Sequence, residues 1–297
     1  MHPSPRKEDP LWIHVGIPSH GSSAVRKVLR KAFPEPEAVV NPSAVGPYVL
    51  DKAHCALMHD NFLPLHKETD RVCRYFTFLR DPFKALVSNF FWKLTLKHYA
   101  LRGLTPDPSG ILKSFSMTLE DYIAALPETL NLAARTIRAV ELRLDKEEFF
   151  TPIPNKELFK QALEVIEKRF FMVGIIEMFE ESLFVMSSLV GIPEIPLWER
   201  TNATIRPEGW SDDLITPAQR QRILKATSVD RKLHGILAKS LVASKAFRDI
   251  DQGKLNAYRM ICRQADAENM KKFNRDGARI MSEELESLKA ALSNDSP

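Results

Sequence analysis

Three short apolar runs, each followed by a polar turn and a helix-like stretch, organise the first two thirds of the chain. The runs are residues 11–17 (LWIHVGI), 73–79 (CRYFTFL) and 170–176 (FFMVGII). Nearly continuous hydrophobicity of this kind is typical of strands in a parallel sheet that helices cover on both faces. The alternation of these strands with helical segments predicts an α/β domain with a central parallel sheet.

The spacing of the other apolar positions predicts helices, several of them with recognisable end signals. Pro82 suits the first turn of a helix, Thr118 and Asp121 resemble a capping box, and Gly191 is a typical C-terminal residue. The predicted helices cover 22–33, 83–101, a segment from Thr118 onward, 155–170, 178–191, 216–226 and 228–243. Residues 35–70 are predicted to be irregular, and 102–117 to form a loop or lid.

The last part of the chain is highly charged and predicted to be helical. Apolar residues follow two stripes there, Leu255, Tyr258, Cys262 and Ala265, then Met281, Leu285, Leu288 and Leu292. Gly277 interrupts the heptad pattern, which argues against a continuous coiled coil. We therefore expect a main domain over 1–244 and a helical C-terminal extension over 245–297, which packs on the domain or forms a homodimer with a second copy.

Composition excludes several classes of protein. The 297 residues are 44% hydrophobic and 27% charged, as in ordinary soluble domains. The net charge of +4 suits an anionic ligand but is too small to argue for nucleic acid. The three cysteines are scattered, and no apolar run is long enough to span a bilayer. The sequence therefore predicts a cytoplasmic protein with no metal, nucleic acid or membrane as a partner.

The first chemical motif is HVGIPSHGSSAV, residues 14–25. A strand, a turn of glycine and serine and a helix start together present backbone N–H groups and the positive end of a helix dipole to an anion. The hydroxyls of Ser22 and Ser23 can add donors. The motif lacks the lysine of a Walker loop. A plain turn with a serine that caps the helix is the alternative.

The second motif is YFTFLRDPFKALVSNFF, residues 75–91. Arg80 leaves the end of a predicted strand, and Ser88 follows about two turns into the next helix. An arginine fork and a hydroxyl can together hold one phosphate group. The alternative is structural: Arg80 and Asp81 pair with each other or cap the helix.

Together these motifs resemble the nucleotide signature of sulfotransferases that use 3′-phosphoadenosine 5′-phosphosulfate (PAPS). In that family one strand leads to P-K-x-G-[ST]-[ST], and a later strand leads to R-D-P-x-x-R-x-x-S. The chain is similar to the branch that contains carbohydrate sulfotransferases and their bacterial relatives. Three further segments resemble shared blocks, FMVGIIEMFEESLFVMSSLVGI, RTNATIRP and DRKLHGIL, so the resemblance spans roughly residues 11–240.

The resemblance implies a P-loop-like fold and an enzyme that transfers a sulfuryl group to a hydroxyl of a carbohydrate or small-molecule acceptor. PAPS is then the cosubstrate, the desulfated nucleotide PAP is the product, and no metal is required. Arg80 and Ser88 are expected to bind the 3′-phosphate, and Arg206 to contact a phosphate. The 5′-phosphosulfate is expected to lie on the loop of Pro18, Ser19, His20, Gly21, Ser22 and Ser23.

One departure from the family pattern is important. The family has a lysine where this chain has Ser19, and that lysine normally stabilises the charge that develops as the nucleotide leaves. Loss of one such donor typically costs about 3 kcal/mol of transition-state stabilisation. His20, Arg26 or Lys84 are candidates to compensate for it.

Sulfuryl transfer to a hydroxyl also needs a general base, and histidine suits that role at neutral pH. By its position in DKAHCALMHD, residues 51–60, His54 is the first candidate and His59 the second. His20 in the loop is a third. Asp60 and Glu177 are expected either to replace the histidine or to orient it.

Two other functions are compatible with the sequence. A catalytically weak or inactive relative would keep the fold and nucleotide binding and act as a scaffold through its C-terminal helices; Ser19 favours this alternative. A P-loop kinase fits the strand–loop–helix opening, but the chain lacks the Walker lysine and a convincing magnesium carboxylate.

Overall fold

A computed structural model describes residues 8–33, 39–40, 50–51, 53–59, 64–101, 118–144, 146–192, 194–198, 211–265 and 267. Within these ranges the protein is an α/β structure whose central sheet is parallel and flanked by helices. The predicted loop 102–117, the segment around Arg206 and residues 268–297 lie outside the described ranges.

The sheet contains five strands in the spatial order β2-β3-β1-β4-β5. These strands are β1 (Leu11–Gly16), β2 (Val39–Val40), β3 (Cys55–His59), β4 (Cys73–Leu79) and β5 (Phe170–Ile175). The three predicted strands are therefore confirmed. All pairings are parallel, so every strand ends at the same edge of the sheet, here called the carboxyl edge.

Helices cover the sheet and carry most of the remaining chain. They are α1 (Ser22–Ala32), α2 (Pro82–Leu101), α3 (Leu119–Ala124), α4 (Leu132–Ala139), α5 (Lys146–Phe150), α6 (Asn155–Arg169), α7 (Phe179–Val190), α8 (Pro217–Ala226), α9 (Ser228–Ala243), α10 (Lys245–Arg248) and α11 (252–265). The predicted capping box at Thr118 is confirmed, because its side chain accepts a hydrogen bond from Asp121 N–H and the Asp121 carboxylate accepts one from Thr118 N–H.

The prediction that residues 35–70 are irregular is wrong for the two strands in that range, the first of which is the short β2 at Val39–Val40. Residues 55–59 form β3, which pairs with β1 in the interior of the sheet. Alanine, leucine and methionine dominate this strand, and none of them is a characteristic strand former, so local propensity gives little signal. The strand forms because it completes the hydrogen bonds of β1, which is a tertiary effect.

The main core lies on both faces of the sheet. Five of the six residues of β1 and the last five residues of β4 are buried, which fits the continuous hydrophobicity of their sequences. A second apolar cluster joins α2 to α3 and α8, and includes Phe83, Phe90, Phe91, Ile123 and Ile223.

The first part of the predicted C-terminal extension packs on the main core around the sheet. In α11, Leu255, Tyr258 and Cys262 are buried with the main cluster, and the Tyr258 hydroxyl donates a 2.9 Å hydrogen bond to Pro196 O. No helix among the described residues combines the length and the apolar character that crossing a bilayer requires.

The side chains of two buried arginines donate hydrogen bonds to backbone carbonyl groups. Arg71 donates to carbonyl oxygens that include those of Leu50 and Ala53, at 2.8 and 2.6 Å. Arg135 donates to Phe149 O and Thr151 O, both at 2.8 Å. Both side chains therefore have structural roles.

Helices α4 and α9 cap each other. The Asp230 carboxylate on α9 accepts hydrogen bonds from the N–H groups of Ala133 and Ala134, at 3.0 and 2.8 Å, in the first turn of α4. In return, Asn131 Oδ1 before α4 accepts a 2.9 Å hydrogen bond from Val229 N–H in α9. Burial raises the pKa of Asp230 to about 6, although the two N–H groups oppose this shift.

We expect Asp230→Asn to lower the free energy of unfolding by about 2 kcal/mol, because one oxygen that accepts a buried N–H becomes an NH₂ group that cannot. Urea denaturation at about pH 8, where Asp230 is ionised, measures the change. Asp251→Asn is the matched control: Asp251 caps α11 from an exposed position, so the same chemical change there should alter stability by less than about 0.5 kcal/mol. Equal effects at the two sites would contradict a special role for the buried cap.

Candidate functional site

The candidate site lies at the carboxyl edge, between β1 and β4. At this point the order in which the chain adds strands changes from one side of β1 to the other. The chain runs from β1 to β2 and β3 on one side, and β4 and β5 lie on the other. In open parallel sheets the crevice at such a reversal is the usual place for a ligand, because the loops on its two sides diverge. Three segments meet at this edge: the loop after β1, the residues after β4 and the turn after β5.

The loop after β1, residues 17–21, is held in shape by its own hydrogen bonds. Ser22 Oγ and His20 N–H both donate to Ile17 O, at 3.0 and 3.2 Å. Ser19 and Gly21 have positive φ values of 64° and 74°. A Cβ atom on Gly21 would collide with Cδ1 of Ile176, so a larger residue here would have to displace that side chain and adopt an unfavourable positive φ.

Helix α1 begins at Ser22 without a side-chain cap. Gly21 occupies the N-cap position, and the first turn contains no acidic residue. The Ser22 hydroxyl donates back to the loop, so the predicted alternative of a serine that caps this helix is wrong. Because the first N–H groups of a helix have no partner within the helix and carry partial positive charge, this end favours an anion.

Arg26 adds a cation beside this helix start. Its side chain curls back one turn, and Nη2 donates to Ser23 Oγ at 3.2 Å while Nε lies 3.4 Å from Ser22 O. The guanidinium is therefore attached to one of the two serines of the first motif.

Arg80 approaches the loop from the neighbouring strand. It follows β4 directly, and Nη1 donates a long 3.4 Å hydrogen bond to Ser19 O. The next residue, Asp81, caps α2, because Oδ1 accepts a 2.9 Å hydrogen bond from Lys84 N–H. The helix cap that the sequence left open thus belongs to Asp81, and Arg80 connects the second motif to the loop of the first.

Glu177, in the turn after β5, connects two other elements. Oε1 accepts a hydrogen bond from Asp81 N–H at 3.0 Å, and Oε2 lies 3.1 Å from His234 Nε2 on α9. Burial alone would raise the pKa of Glu177, but the hydrogen bonds from His234 and from the Asp81 N–H outweigh it and lower the pKa to about 2. The carboxylate is therefore ionised at neutral pH.

His20 is buried among these groups, with 4% of its surface exposed. Its Nδ1 lies 2.7 Å from Pro18 O. Burial lowers the pKa of His20 to about 4, with the nearby Arg80 and His234 also lowering it, and Pro18 O and Glu177 opposing the shift. His20 is therefore neutral at physiological pH.

The structure does not bring His54 to this site. His54 precedes β3, its carbonyl oxygen accepts a hydrogen bond from Trp12 N–H, and its ring stacks on Phe33 at 5.2 Å. This is the amino edge of the sheet, roughly 13 Å from the loop, because four residue steps of about 3.3 Å separate Trp12 from Gly16. The prediction of His54 as the leading base placed it in an irregular segment between the two motifs. The segment is instead a strand, and His54 precedes its first residue, at the edge opposite the loop.

The other predicted residues have different positions. His59 pairs in register with Gly16, so its backbone lies at the carboxyl edge; its side chain, like all of Asp60 and Arg206, lies outside the described part of the chain. Ser88 is partly buried on α2, one turn after Lys84 and on the same helix face. Pro18, Ser19, Gly21, Ser22 and Ser23 form the loop and helix start described above.

Sequence reasoning missed His234. The residue lies within the quoted segment DRKLHGIL, but nothing in the local pattern connects it to Glu177, 57 positions earlier. Only the packing of α9 against β5 brings the two side chains together.

Comparison with models of known protein families gives no match, and comparison with curated proteins gives none either. Across the described residues, no group of three or more histidine, cysteine, aspartate or glutamate side chains has the arrangement of a metal site.

Neutral His20 makes stability depend on pH. The unfolded chain takes up a proton on this histidine near pH 6.5, whereas the folded protein does so only near pH 4. Its contribution to the free energy of unfolding is thus complete above about pH 6.5 and is lost as the pH falls towards 4. Between about pH 6 and 5 we expect wild type to lose up to about 1.4 kcal/mol per pH unit more than His20→Gln.

Urea denaturation of both proteins at pH values from about 8 to 5 tests this. Above about pH 7 the two curves should differ by a constant amount, which serves as the internal control. Curves that stay parallel down to pH 5 would show that His20 is protonated as readily in the folded protein as in the unfolded chain.

Proposed function

We propose that the protein is a sulfotransferase that uses PAPS and transfers its sulfuryl group to a hydroxyl of a carbohydrate or small-molecule acceptor. The observation that carries this proposal is the pairing of an uncapped helix start after β1 with Arg80 after the adjacent β4. The two motifs that resemble the family signature are about 60 residues apart in sequence, and they meet at one edge of the sheet. The P-loop-like form of the fold is part of the same proposal.

The residues present fit the two anionic ends of such a nucleotide. The 5′-phosphosulfate would bind the first N–H groups of α1 and the serines of the loop. The 3′-phosphate would bind Arg80 and Ser88. Arg80 supplies a planar fork that suits two phosphate oxygens, and the helix face that carries Lys84 and Ser88 continues from it.

The geometry also indicates which residues could replace the lysine that the family has at the position of Ser19. His20 cannot supply the missing charge, because its low pKa keeps it neutral. Arg26 is fixed to Ser23 beside the helix start and is a permanent cation. We assign the compensation to Arg26 and Arg80 together, and the chemistry to positioning and to stabilisation of charge on the leaving nucleotide.

A nucleotide-binding relative with weak or absent catalysis is the second candidate. The observation that favours it is the combination of Ser19 with a neutral His20, which leaves no charged side chain on the loop itself. Such a protein would bind PAP and act through its C-terminal helices on a partner or on a second copy of itself.

Calorimetric titration with PAP tests the proposed nucleotide site. We expect micromolar binding by wild type and at least tenfold weaker binding by Arg80→Ala, because a hydrogen-bonded charge pair contributes about 1.5–3 kcal/mol. Arg74→Ala is the matched control, since Arg74 is exposed at the other end of the same strand. Well-folded wild type that does not bind PAP would contradict the proposal, and equal losses in both variants would indicate a nonspecific charge effect.

Removal of metal distinguishes sulfuryl transfer from kinase chemistry. We expect PAP binding and turnover of PAPS to be unchanged in millimolar EDTA, because the proposed reaction relies on side chains and helix N–H groups. Nucleoside triphosphate binding that appears only with Mg²⁺ would favour the P-loop kinase instead.

A further inference from the structure

The contact between His234 and Glu177 determines which ring nitrogen of the histidine carries the proton. Glu177 is ionised, so its oxygens only accept hydrogen bonds, and His234 Nε2 must be the donor across the 3.1 Å distance. In neutral His234 the lone pair is then on Nδ1. Among the described residues, none forms a hydrogen bond with Nδ1.

The carboxylate is itself fixed. Its second oxygen accepts the hydrogen bond from Asp81 N–H, so Glu177 cannot rotate away from His234 without losing a contact at the start of α2. A histidine held in one tautomer by a fixed carboxylate, with its other nitrogen unused, is the arrangement that enzymes use to prepare a general base.

This pair lies beside the proposed nucleotide site. Glu177 adjoins Ile176, whose side chain contacts Gly21 of the loop, and the Asp81 that binds Glu177 adjoins Arg80. Arg80, Glu177 and His234 are each close enough to His20 to shift its pKa. The imidazole is also not sealed off, because 17% of the side-chain surface of His234 remains exposed.

We propose that His234 is the general base of the sulfuryl transfer and that Glu177 is its positioning residue; this inference rests on the proposed function. As the acceptor oxygen forms its bond to sulfur, its proton passes to His234 Nδ1. The bond between sulfur and the bridging oxygen of the nucleotide breaks, and PAP leaves with that electron pair. His234 therefore replaces His54, which lies at the opposite edge of the sheet.

The tautomer gives a test that does not need turnover. Long-range ¹H–¹⁵N correlation spectra of the wild-type protein at about pH 8, assigned with His234→Gln, should show His234 protonated on Nε2 and not on Nδ1. In Glu177→Gln we expect a mixture of both tautomers, since the carboxylate that selects one is gone. A wild-type His234 protonated on Nδ1 would overturn the proposal, because that nitrogen would have no lone pair for a proton.

The second test compares acceptors that differ in their need for a base. At about pH 8 p-nitrophenol is largely ionised and needs no base, whereas phenol keeps its proton. We expect His234→Gln to lower kcat with phenol about 100-fold and with p-nitrophenol less than about threefold. Glutamine can still donate to Glu177, so the variant keeps the structural contact. Lys239→Ala, an exposed truncation on the same helix, should change neither rate.

The outcomes separate this inference from the proposed function. Wild type that does not bind PAP overturns the proposed function itself. Equal rate losses with both phenols, or no loss with either, overturn the role of His234 while nucleotide binding and transfer stand. Wild type that binds PAP but does not transfer the sulfuryl group of PAPS to either phenol or to water also overturns the role of His234. The second candidate, a nucleotide-binding protein without catalysis, would then be the function. Binding of PAP by His234→Gln with wild-type affinity shows that this variant is folded.

Discussion

The constraint on which the site depends is that all strands run parallel. A parallel strand brings its last residues to the same edge as its neighbours, whatever their distance in sequence. In this protein the loop after β1, Arg80 after β4 and Glu177 after β5 therefore meet although they span some 160 positions of the chain. The chain adds β2 and β3 on one side of β1 and β4 on the other, so the loops after β1 and β4 diverge. The first two of these segments therefore border one crevice.

The sequence predicts the local structure around Arg80 and the loop well because its signals are local. Pro82 and the Asp81 cap define where β4 ends and α2 begins, and Arg80 is fixed between them. Gly21 is likewise defined by its backbone, since it combines a positive φ with close contact to the Ile176 side chain. A short strand, a turn and a helix start can be recognised from neighbouring residues alone.

The rest of the site depends on tertiary contacts that no local pattern encodes. Cys55 to His59 form a strand only because β1 offers them unpaired backbone groups, and this strand takes His54 away from the site and brings the backbone of His59 towards it. His234 is one polar residue on a helix whose neighbours Leu233 and Leu237 face the core, so its position resembles that of many surface residues. Its partner Glu177 becomes evident only when α9 packs on β5.

A carboxylate beside a loop that is proposed to bind an anion requires an explanation, because two negative charges at close range repel each other. Glu177 avoids this conflict through its contacts: the Asp81 N–H at the positive start of α2 holds one oxygen, and His234 holds the other. The carboxyl edge is thereby divided. Arg26, Arg80 and the start of α1 offer positive charge on the side of β1 and β4, while the side of β5 carries a carboxylate whose oxygens are both hydrogen-bonded, and a histidine. The proposed transfer of a sulfuryl group to a hydroxyl would use this division, since the donor would be held by cations and the proton would leave in another direction.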